Sequence, residues 1–165
     1  MSLSGNWRQA TRFLGRSILK KNMKLEKLFE AKEKKLFKIS GGDEVAILPE
    51  MAKSVRWSDV EPQTDVYNEE FLAKLRDELK SLEEKNSFVF IEPVFDKGAN
   101  ADKAQFTAAM KHTARRIKDC VSVMGFAIPE ELLSDVDTYC AELSAKHAQY
   151  CFFCKKSLKS DVVLY

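Results

Sequence analysis

Acidic side chains stand close behind several short apolar segments of this sequence, and they are its clearest sign of chemistry. The acids are Asp59, Glu61, Glu92, Asp96, Glu130 and Glu131, and Arg56 and Trp57 precede the first of them. Carboxylates that crowd one another separate in pKa, so that one is protonated while another stays ionised, as the hydrolysis of a glycosidic bond requires. The indole of Trp57 would offer a flat apolar face to a sugar ring.

The same residues also fit a structural interpretation without catalysis. Acids in loops are ordinarily solvated, and Glu130 and Glu131 would complement the positive N-terminal end of a following helix. Trp57 would suit a hydrophobic core equally well. The residue types alone therefore leave both interpretations open.

The cysteines and histidines favour structural roles. Cys151 and Cys154 match the CxxC spacing, but residues 150–154 have the composition of a strand. Residues three apart in a strand point to opposite faces, so the two sulfurs cannot share an ion, and a second ligand pair is missing. We expect reduced, buried cysteines, no metal and no cofactor. We interpret His112 and His147 as structural residues of two helices.

Apolar segments alternate with amphipathic ones, which predicts strands alternating with helices. Long helices are predicted to begin at Asn68, Ala101 and Glu130, and a short helical stretch covers 44–48. The predicted strands are 36–40, 54–58, 87–94, 121–128, 150–154 and 161–165. Because right-handed crossovers join such units, we expect an α/β domain of about five or six mainly parallel strands. A partial TIM-barrel-like sheet is favoured, and a small doubly wound sheet is the alternative.

These elements would bring the acidic residues together. The carboxyl ends of parallel strands meet at one edge of the sheet, where ligands bind. We call this edge the rim: it comprises the first residues after each predicted strand, including Arg56, Trp57 and the six acids named above. The sequence thus predicts an acidic, carbohydrate-facing rim.

The first 35 residues differ from the rest in charge. They hold ten Lys or Arg and three Glu, a net +7, whereas the whole chain carries +2 and the remainder therefore −5. Trp7, Thr11, Leu14 and Ile18 share one face of a predicted helix, which makes residues 1–35 a basic amphipathic leader and 36–165 the α/β domain. The leader would pack on the domain, lie on a membrane surface or act in targeting, or precede a true start at Met23. The packing interpretation is favoured over the other two.

Several classes of protein are disfavoured by composition and length. No apolar run approaches the ~18–20 residues that span a bilayer, and no secretory signal is recognisable, so we expect a cytoplasmic protein. The basic residues lack interleaved aromatics and the body is acidic, so we expect no nucleic-acid partner. With 165 residues, the chain is shorter than the roughly 200–250 of a complete eight-stranded α/β barrel.

Residues 36–165 resemble glycoside hydrolase family 5, the cellulase-like α/β barrels. Residues 54–62 (SVRWSDVEP) and 66–72 (VYNEEFL) are similar to that family's second strand and following helix, and 88–91 (FVFI) to its third strand. Residues 114–119 (ARRIKD) and 123–126 (VMGF) resemble a helix and the fourth strand. The resemblance implies that Arg56 shapes a sugar site and that Glu131 is the general acid/base.

The sequence also departs from that family. Glu130 stands where an Asn precedes the family's acid/base, and Glu92 or a neighbour stands where a His is common. The family's nucleophile lies on a seventh strand, which this chain does not reach. The resemblance therefore implies an incomplete or degenerate endoglucanase-type region that contacts oligosaccharide or polysaccharide. The alternative is a non-catalytic α/β binding or interaction module, and a homo-oligomer would cover the exposed edge of strand 161–165.

Overall fold

The computed structural model describes residues 25–165, which begin with a small antiparallel sheet. Its strands are β1 (Phe29–Lys32), β2 (Lys35–Lys38) and β3 (Glu44–Val45), in that order. Glu33 and Lys34 form a two-residue turn with φ of 50° and 64°. Such a turn matches the twist of a hairpin, but Asn-Gly is its usual sequence signal, and Glu-Lys gives none. The strand predicted at 36–40 is present as β2, but it pairs antiparallel rather than parallel, and the helical stretch predicted at 44–48 was wrong, because Glu44–Val45 forms β3.

The predicted leader falls mostly outside the described residues. Residues 1–24 lie outside them, so the amphipathic helix proposed there stays a prediction. The end of the leader is different, because Phe29–Lys32 forms β1 rather than a helix and pairs with β2. The folded domain therefore includes residues ahead of 36.

A second sheet of five parallel strands forms the body of the protein. These strands are β4 (Ala52–Arg56), β5 (Val89–Val94), β6 (Val123–Ala127), β7 (Cys151–Cys154) and β8 (Val162–Leu164). They are hydrogen-bonded in chain order, β4-β5-β6-β7-β8, and every pair is parallel. A doubly wound sheet reverses its strand order at a switch point. The prediction of an α/β, partial TIM-barrel-like fold is therefore confirmed, and the sheet is singly wound.

Helices connect most of these strands. After β4 come α1 (Trp57–Val60) and α2 (Glu69–Glu84), and after β5 comes α3 (Lys103–Arg116). After β6, a 3₁₀ segment (Glu130–Asp135) leads into α4 (Val136–Ser144). Asn68 accepts a hydrogen bond from the Phe71 amide at 3.0 Å, which begins α2 where the sequence predicted it. No helix of residues 25–165 combines the length and the apolar character that crossing a bilayer demands.

The two faces of the parallel sheet have separate hydrophobic cores. On one face, the helices contribute Leu79, Phe106 and Tyr139, among others, against Ile91 and Phe126. The other face is covered by the antiparallel sheet, whose Phe29 and Leu36 pack with Phe90, Met124, Phe153 and Val163. Full burial of each such side chain contributes roughly 1.5–3 kcal/mol. The hairpin thus covers the face that singly wound crossovers leave bare.

The parallel sheet is strongly curved, and the hairpin turn reaches its far edge. Two strands separate β5 from β8, yet the rings of Phe90 and Tyr165 lie 4.8 Å apart, against about 14 Å between such strands in a flat sheet. Lys34 donates its amide to Ser160 at 2.9 Å and accepts from the Leu164 amide at 3.0 Å. One of these hydrogen bonds, from the Leu164 amide, thus joins the edge strand β8 to its own chain, and a homo-oligomer that covers this edge stays a prediction.

Gly125 in β6 marks a close approach of two strands. A Cβ at this position would lie 1.7 Å from the Cys151 carbonyl oxygen. We predict that Gly125→Ala lowers the free energy of unfolding by about 3 kcal/mol or more, because backbone must move to admit the methyl group. Urea denaturation measures the loss. Gly42→Ala is the control: Gly42 has open space but φ of 73°, so that only about 1 kcal/mol is expected. Equal losses would contradict the prediction.

Buried thiols make stability sensitive to alkaline pH. Burial raises the pKa of Cys120 and Cys151 to about 11 and that of Cys140 to about 12. The folded state therefore keeps protons that the unfolded state releases near pH 8.5–9, and stability falls as pH rises from there. The slope approaches about 1.4 kcal/mol per pH unit for each retained proton.

We predict that urea unfolding at pH 7, 9 and 10 shows this decline and that Cys151→Ala makes it shallower. Val162→Ala is the matched control, because it also removes buried apolar volume but no titrating group. It should lower stability by a similar amount at every pH. A decline that is as steep in Cys151→Ala as in the unaltered protein would refute the assignment.

Candidate functional site

The concave face of the sheet carries a polar cluster at the carboxyl ends of the strands. The Tyr165 hydroxyl donates to Glu92 Oε2 at 2.6 Å, and Lys155 Nζ lies 3.7 Å from the same oxygen. We call these three residues the Glu92 cluster. Tyr165 follows β8, so the hydrogen bond bridges the concave face over β6 and β7. The carboxylate keeps 27 % of its side-chain exposure, so it still reaches solvent.

The Tyr165 phenol stays protonated in this cluster. Its burial, the hydrogen bond to Glu92 and the negative charge of Glu92 all raise its pKa well above the ordinary value. Lys155 also lies over the Tyr165 ring, 5.8 Å from its centre. A neutral donor and a cation on one carboxylate form a polar surface that can exchange hydrogen bonds with a ligand.

Arg56 lies at the same end of the sheet. It is the last residue of β4 and its side chain is exposed. Val55 belongs to the core on the helix side, so alternation along the strand places Ser54 and Arg56 on the concave face. Ser54 stands opposite Glu92 in the β4–β5 register. Arg56 forms no hydrogen bond or ion pair with any residue from 25 to 165, which leaves its guanidinium available to a ligand.

Trp57 and Glu61 do not face the rim as the sequence suggested. Trp57 is 1 % exposed and its ring packs on Phe95 and Phe106 at 5.1 and 5.4 Å. Glu61 is fully buried; it accepts from the Trp57 indole at 2.9 Å and pairs with Lys97 at 3.2 Å. Neither side chain is accessible to a sugar, so the predicted sugar contacts of Trp57 and Glu61 do not fit their burial. Their contacts instead hold α1 against the core on the helix side.

Asp96 and Asp59 belong to the loops that flank α1. The Asp96 carboxylate accepts from the Ser58 amide at 2.9 Å and also from the Ser58 hydroxyl. It therefore joins the end of β5 to the first turn of α1. Asp59 is exposed on that turn. A sugar contact by either acid stays a prediction.

Glu130 and Glu131 lie in the 3₁₀ segment that follows β6. Both are exposed, and the predicted helix at 130 begins only at Val136, where α4 starts. The hydrogen bond and charge of Lys156, 2.7 Å away, lower the pKa of Glu130, which holds it ionised. Glu131 forms no hydrogen bond or ion pair within the described part of the chain. Its role as the acid/base stays a prediction.

The residues that sequence reasoning missed come from the ends of β7 and β8. Lys155 approaches Glu92 and Lys156 pairs with Glu130, so consecutive lysines meet acids from two different strands. Tyr165 supplies the hydroxyl that bridges the concave face. The sequence did contain a signal for basic residues at the rim, because Lys155 and Lys156 directly follow the predicted strand 150–154. Their partners are distant in the chain, and one sequence cannot pair them.

The cysteines lie as the strand alternation predicted. Cys151 packs in the core under the antiparallel sheet, and Cys154 packs in the core under the helices. All four cysteines are free thiols. His112 lies at the contact between α3 and the start of α2, stacked on Tyr67 at 4.0 Å and 2.8 Å from Glu69. The hydrogen bonds from His112 and Arg116 outweigh burial and lower the pKa of Glu69.

Fold and site together define a singly wound, barrel-like α/β protein with a polar cluster at its strand ends. No protein-family model matches the chain, and no curated protein matches it. Among solved structures, it is similar to a crystal structure of a GH5_18 from Bifidobacterium longum subsp. infantis, with 12 % identity and a TM-score of 0.46. The similarity covers 62 % of this chain, which spans about a third (33 %) of that structure. A likeness of this extent carries no argument about activity.

The contacts of Glu61 predict a large stability effect. We expect Glu61→Ala to lower the free energy of unfolding by about 2–4 kcal/mol, because it leaves the indole N–H without its acceptor and the Lys97 ammonium without its carboxylate, although the backbone carbonyl of residue 61 still accepts from Lys97. Thermal or urea unfolding measures the change. Glu70→Ala is the matched control, since Glu70 and Lys74 form an exposed pair expected to contribute about 0–0.5 kcal/mol. A loss at Glu61 no larger than the control would show that the buried contacts stabilise little.

Proposed function

We propose that this protein is a glycosidase-like region that binds oligosaccharides at the rim without hydrolysing them by itself. The Glu92 cluster is the observation that carries the proposal: a partly exposed carboxylate, a neutral phenol and a lysine meet on the concave face at the strand ends. Parallel α/β sheets bind ligands at this end. The resemblance of residues 36–165 to glycoside hydrolase family 5 supports a sugar as the ligand.

The chemistry of the cluster suits neutral polyols. Glu92 accepts hydrogen bonds from sugar hydroxyls, while Arg56 and Lys155 donate to sugar oxygens. Charge-assisted hydrogen bonds of this kind are stronger than neutral ones and fix orientation. Because the indole of Trp57 is buried, the described rim lacks that platform for a sugar ring. We therefore expect binding in the millimolar range, about −4 kcal/mol.

Hydrolysis requires a second carboxylate in a defined place. Retaining glycosidases hold two carboxyl groups about 5–5.5 Å apart, and inverting ones about 6.5–9.5 Å. Glu92 is engaged by Tyr165 and Lys155 on the concave face, whereas Glu130 is engaged by Lys156. Each acid thus has its own cation, and the ionised Glu130 is unsuited to donate a proton. Glu131 is the remaining candidate acid/base, so we expect no turnover from residues 25–165 alone.

Titration of cello-oligosaccharides into the full chain, followed by amide and side-chain NMR shifts, tests this function. We predict shifts at Arg56, Glu92 and Tyr165 and a millimolar Kd. Glu92→Gln and Arg56→Met should each weaken binding by about tenfold, because one charge-assisted hydrogen bond contributes about 1.5 kcal/mol.

Glu50→Gln is the matched control, because Glu50 is exposed and lies away from the carboxyl ends of the strands. It should bind as the unaltered protein does. A reducing-sugar assay runs in parallel and should detect no product. Absence of shifts at about 10 mM sugar, well above a millimolar Kd, would reject the proposal and favour the interaction module. If the unaltered protein hydrolyses the sugar and Glu131→Gln abolishes that hydrolysis, the expectation of no turnover is wrong.

A further inference from the structure

A groove with both apolar and polar lining residues lies at the end of the molecule opposite the rim. It has a volume of about 510 Å³ and runs between the antiparallel sheet and the segment that joins α2 to β5. Its apolar lining residues include Phe29, Val45, Leu48, Met51, Leu82 and Phe88. Leu48 is 46 % exposed, which is a large exposure for a leucine beside other apolar side chains.

Two more exposed apolar side chains lie near the groove, on the outer face of the antiparallel sheet. Leu28 and Ile39 flank β1 and β2, and the Ile39 amide donates to the Leu28 carbonyl at 2.9 Å. Their side chains are 41 % and 48 % exposed. Phe29 and Lys38 pair in register and both line the groove, so strand alternation places Leu28 and Ile39 on the opposite face of the antiparallel sheet. The apolar surface open to an occupant is therefore that of the groove itself.

Two acids that form no hydrogen bond or ion pair among the described residues lie beside the groove. Glu50 lines the groove, and Glu84 lies on the last turn of α2, which contains no basic residue. An acid at the C-terminal end of a helix is unfavourable, because the carbonyls there carry partial negative charge. Neither Glu50 nor Glu84 forms a hydrogen bond or ion pair with other described residues. Lys38, also in the lining, and Lys85, which directly follows Glu84, are opposing charges.

The segment ahead of residue 25 has the complementary character. Residues 1–24 contain six basic residues and no acid: Arg8, Arg12, Arg16, Lys20, Lys21 and Lys24. Trp7, Leu14 and Ile18 recur at the spacing of one helical face. The segment joins the body at Leu25, four residues ahead of Phe29 in the groove wall. The seven residues from Ile18 to Leu25 span up to about 23 Å, so the apolar stripe can reach the groove.

We propose that residues 7–18 dock in this groove as an amphipathic helix, with Trp7, Leu14 and Ile18 against Leu48, Met51 and Phe88. Twelve helical residues extend about 18 Å. The basic face would lie beside Glu50 and Glu84 and remain toward solvent. The occupant is thus a segment of this chain, and a membrane surface or a second copy of the chain are the competing occupants.

Disulfide trapping in the full chain tests the docking. Leu14→Cys and Leu48→Cys are introduced together and oxidised at pH 7.5. The raised pKa values of Cys120, Cys140 and Cys151 keep these native thiols unreactive at that pH. Leu14→Cys with Val66→Cys is the matched control, because Val66 is 51 % exposed but lies in the loop between α1 and α2, away from the groove. A cross-link within one chain, formed at least about tenfold faster than in the control, is expected from the high effective concentration of a docked segment.

Hydrogen exchange gives an independent measurement. Leu14→Asp should increase exchange at residues 86–89 severalfold, because it removes the apolar contact that covers them. Gln9→Asp adds the same charge on the opposite helical face and should leave exchange unchanged. Cross-linking only between two chains would overturn the proposal in favour of a second copy. Equal exchange in both variants, with binding to anionic vesicles that requires Trp7, would overturn it in favour of a membrane surface.

Discussion

The packing of Phe29 and Leu36 on the concave face of the parallel sheet is the contact on which the rest of the structure depends. A parallel sheet is stable only when both of its faces are buried. Right-handed crossovers place all the helices on one face, so a sheet wound in a single direction has nothing of its own to cover the other. In a complete barrel the opposite strands fill that space. Here a three-stranded antiparallel sheet fills it instead, through Phe29 and Leu36.

This arrangement divides the concave face into an apolar and a polar part. Phe90 stacks on Phe153 at 4.3 Å within the part that the hairpin covers. Two residues further along β5, Glu92 lies beyond that cover and meets Tyr165 and Lys155. One face of a single strand thus provides both a core residue, Phe90, and a site residue, Glu92. The buried Trp57–Glu61–Lys97 contacts fix the neighbouring loop, so that the polar residues lie above a rigid layer.

The parallel strands and helices could be predicted because their signals are local. Continuous apolar runs at β5 and β6, the Asn68 cap and the apolar stripe of α2 are each legible within a few residues. The antiparallel sheet escaped prediction because its turn is Glu33-Lys34, two residues that seldom adopt positive φ. The choice between a buried Trp57 and an exposed one depended on Phe106, about fifty residues away. Likewise, Glu92 could be proposed from its position, but its partner Tyr165 lies 73 residues further on.

The hydrogen bonds between the hairpin turn and the edge of β8 have a consequence for biosynthesis. The hairpin and the β7–β8 loop that it contacts are 123 residues apart in the chain. Contacts of such separation form slowly, because loop closure must precede them. While the ribosome is still synthesising β8, the hairpin has no edge to bond and the aromatic surface around Phe90 stays incompletely covered. Nascent chains at this stage are prone to aggregate, and chaperones that shield apolar surface would act on them before β8 emerges.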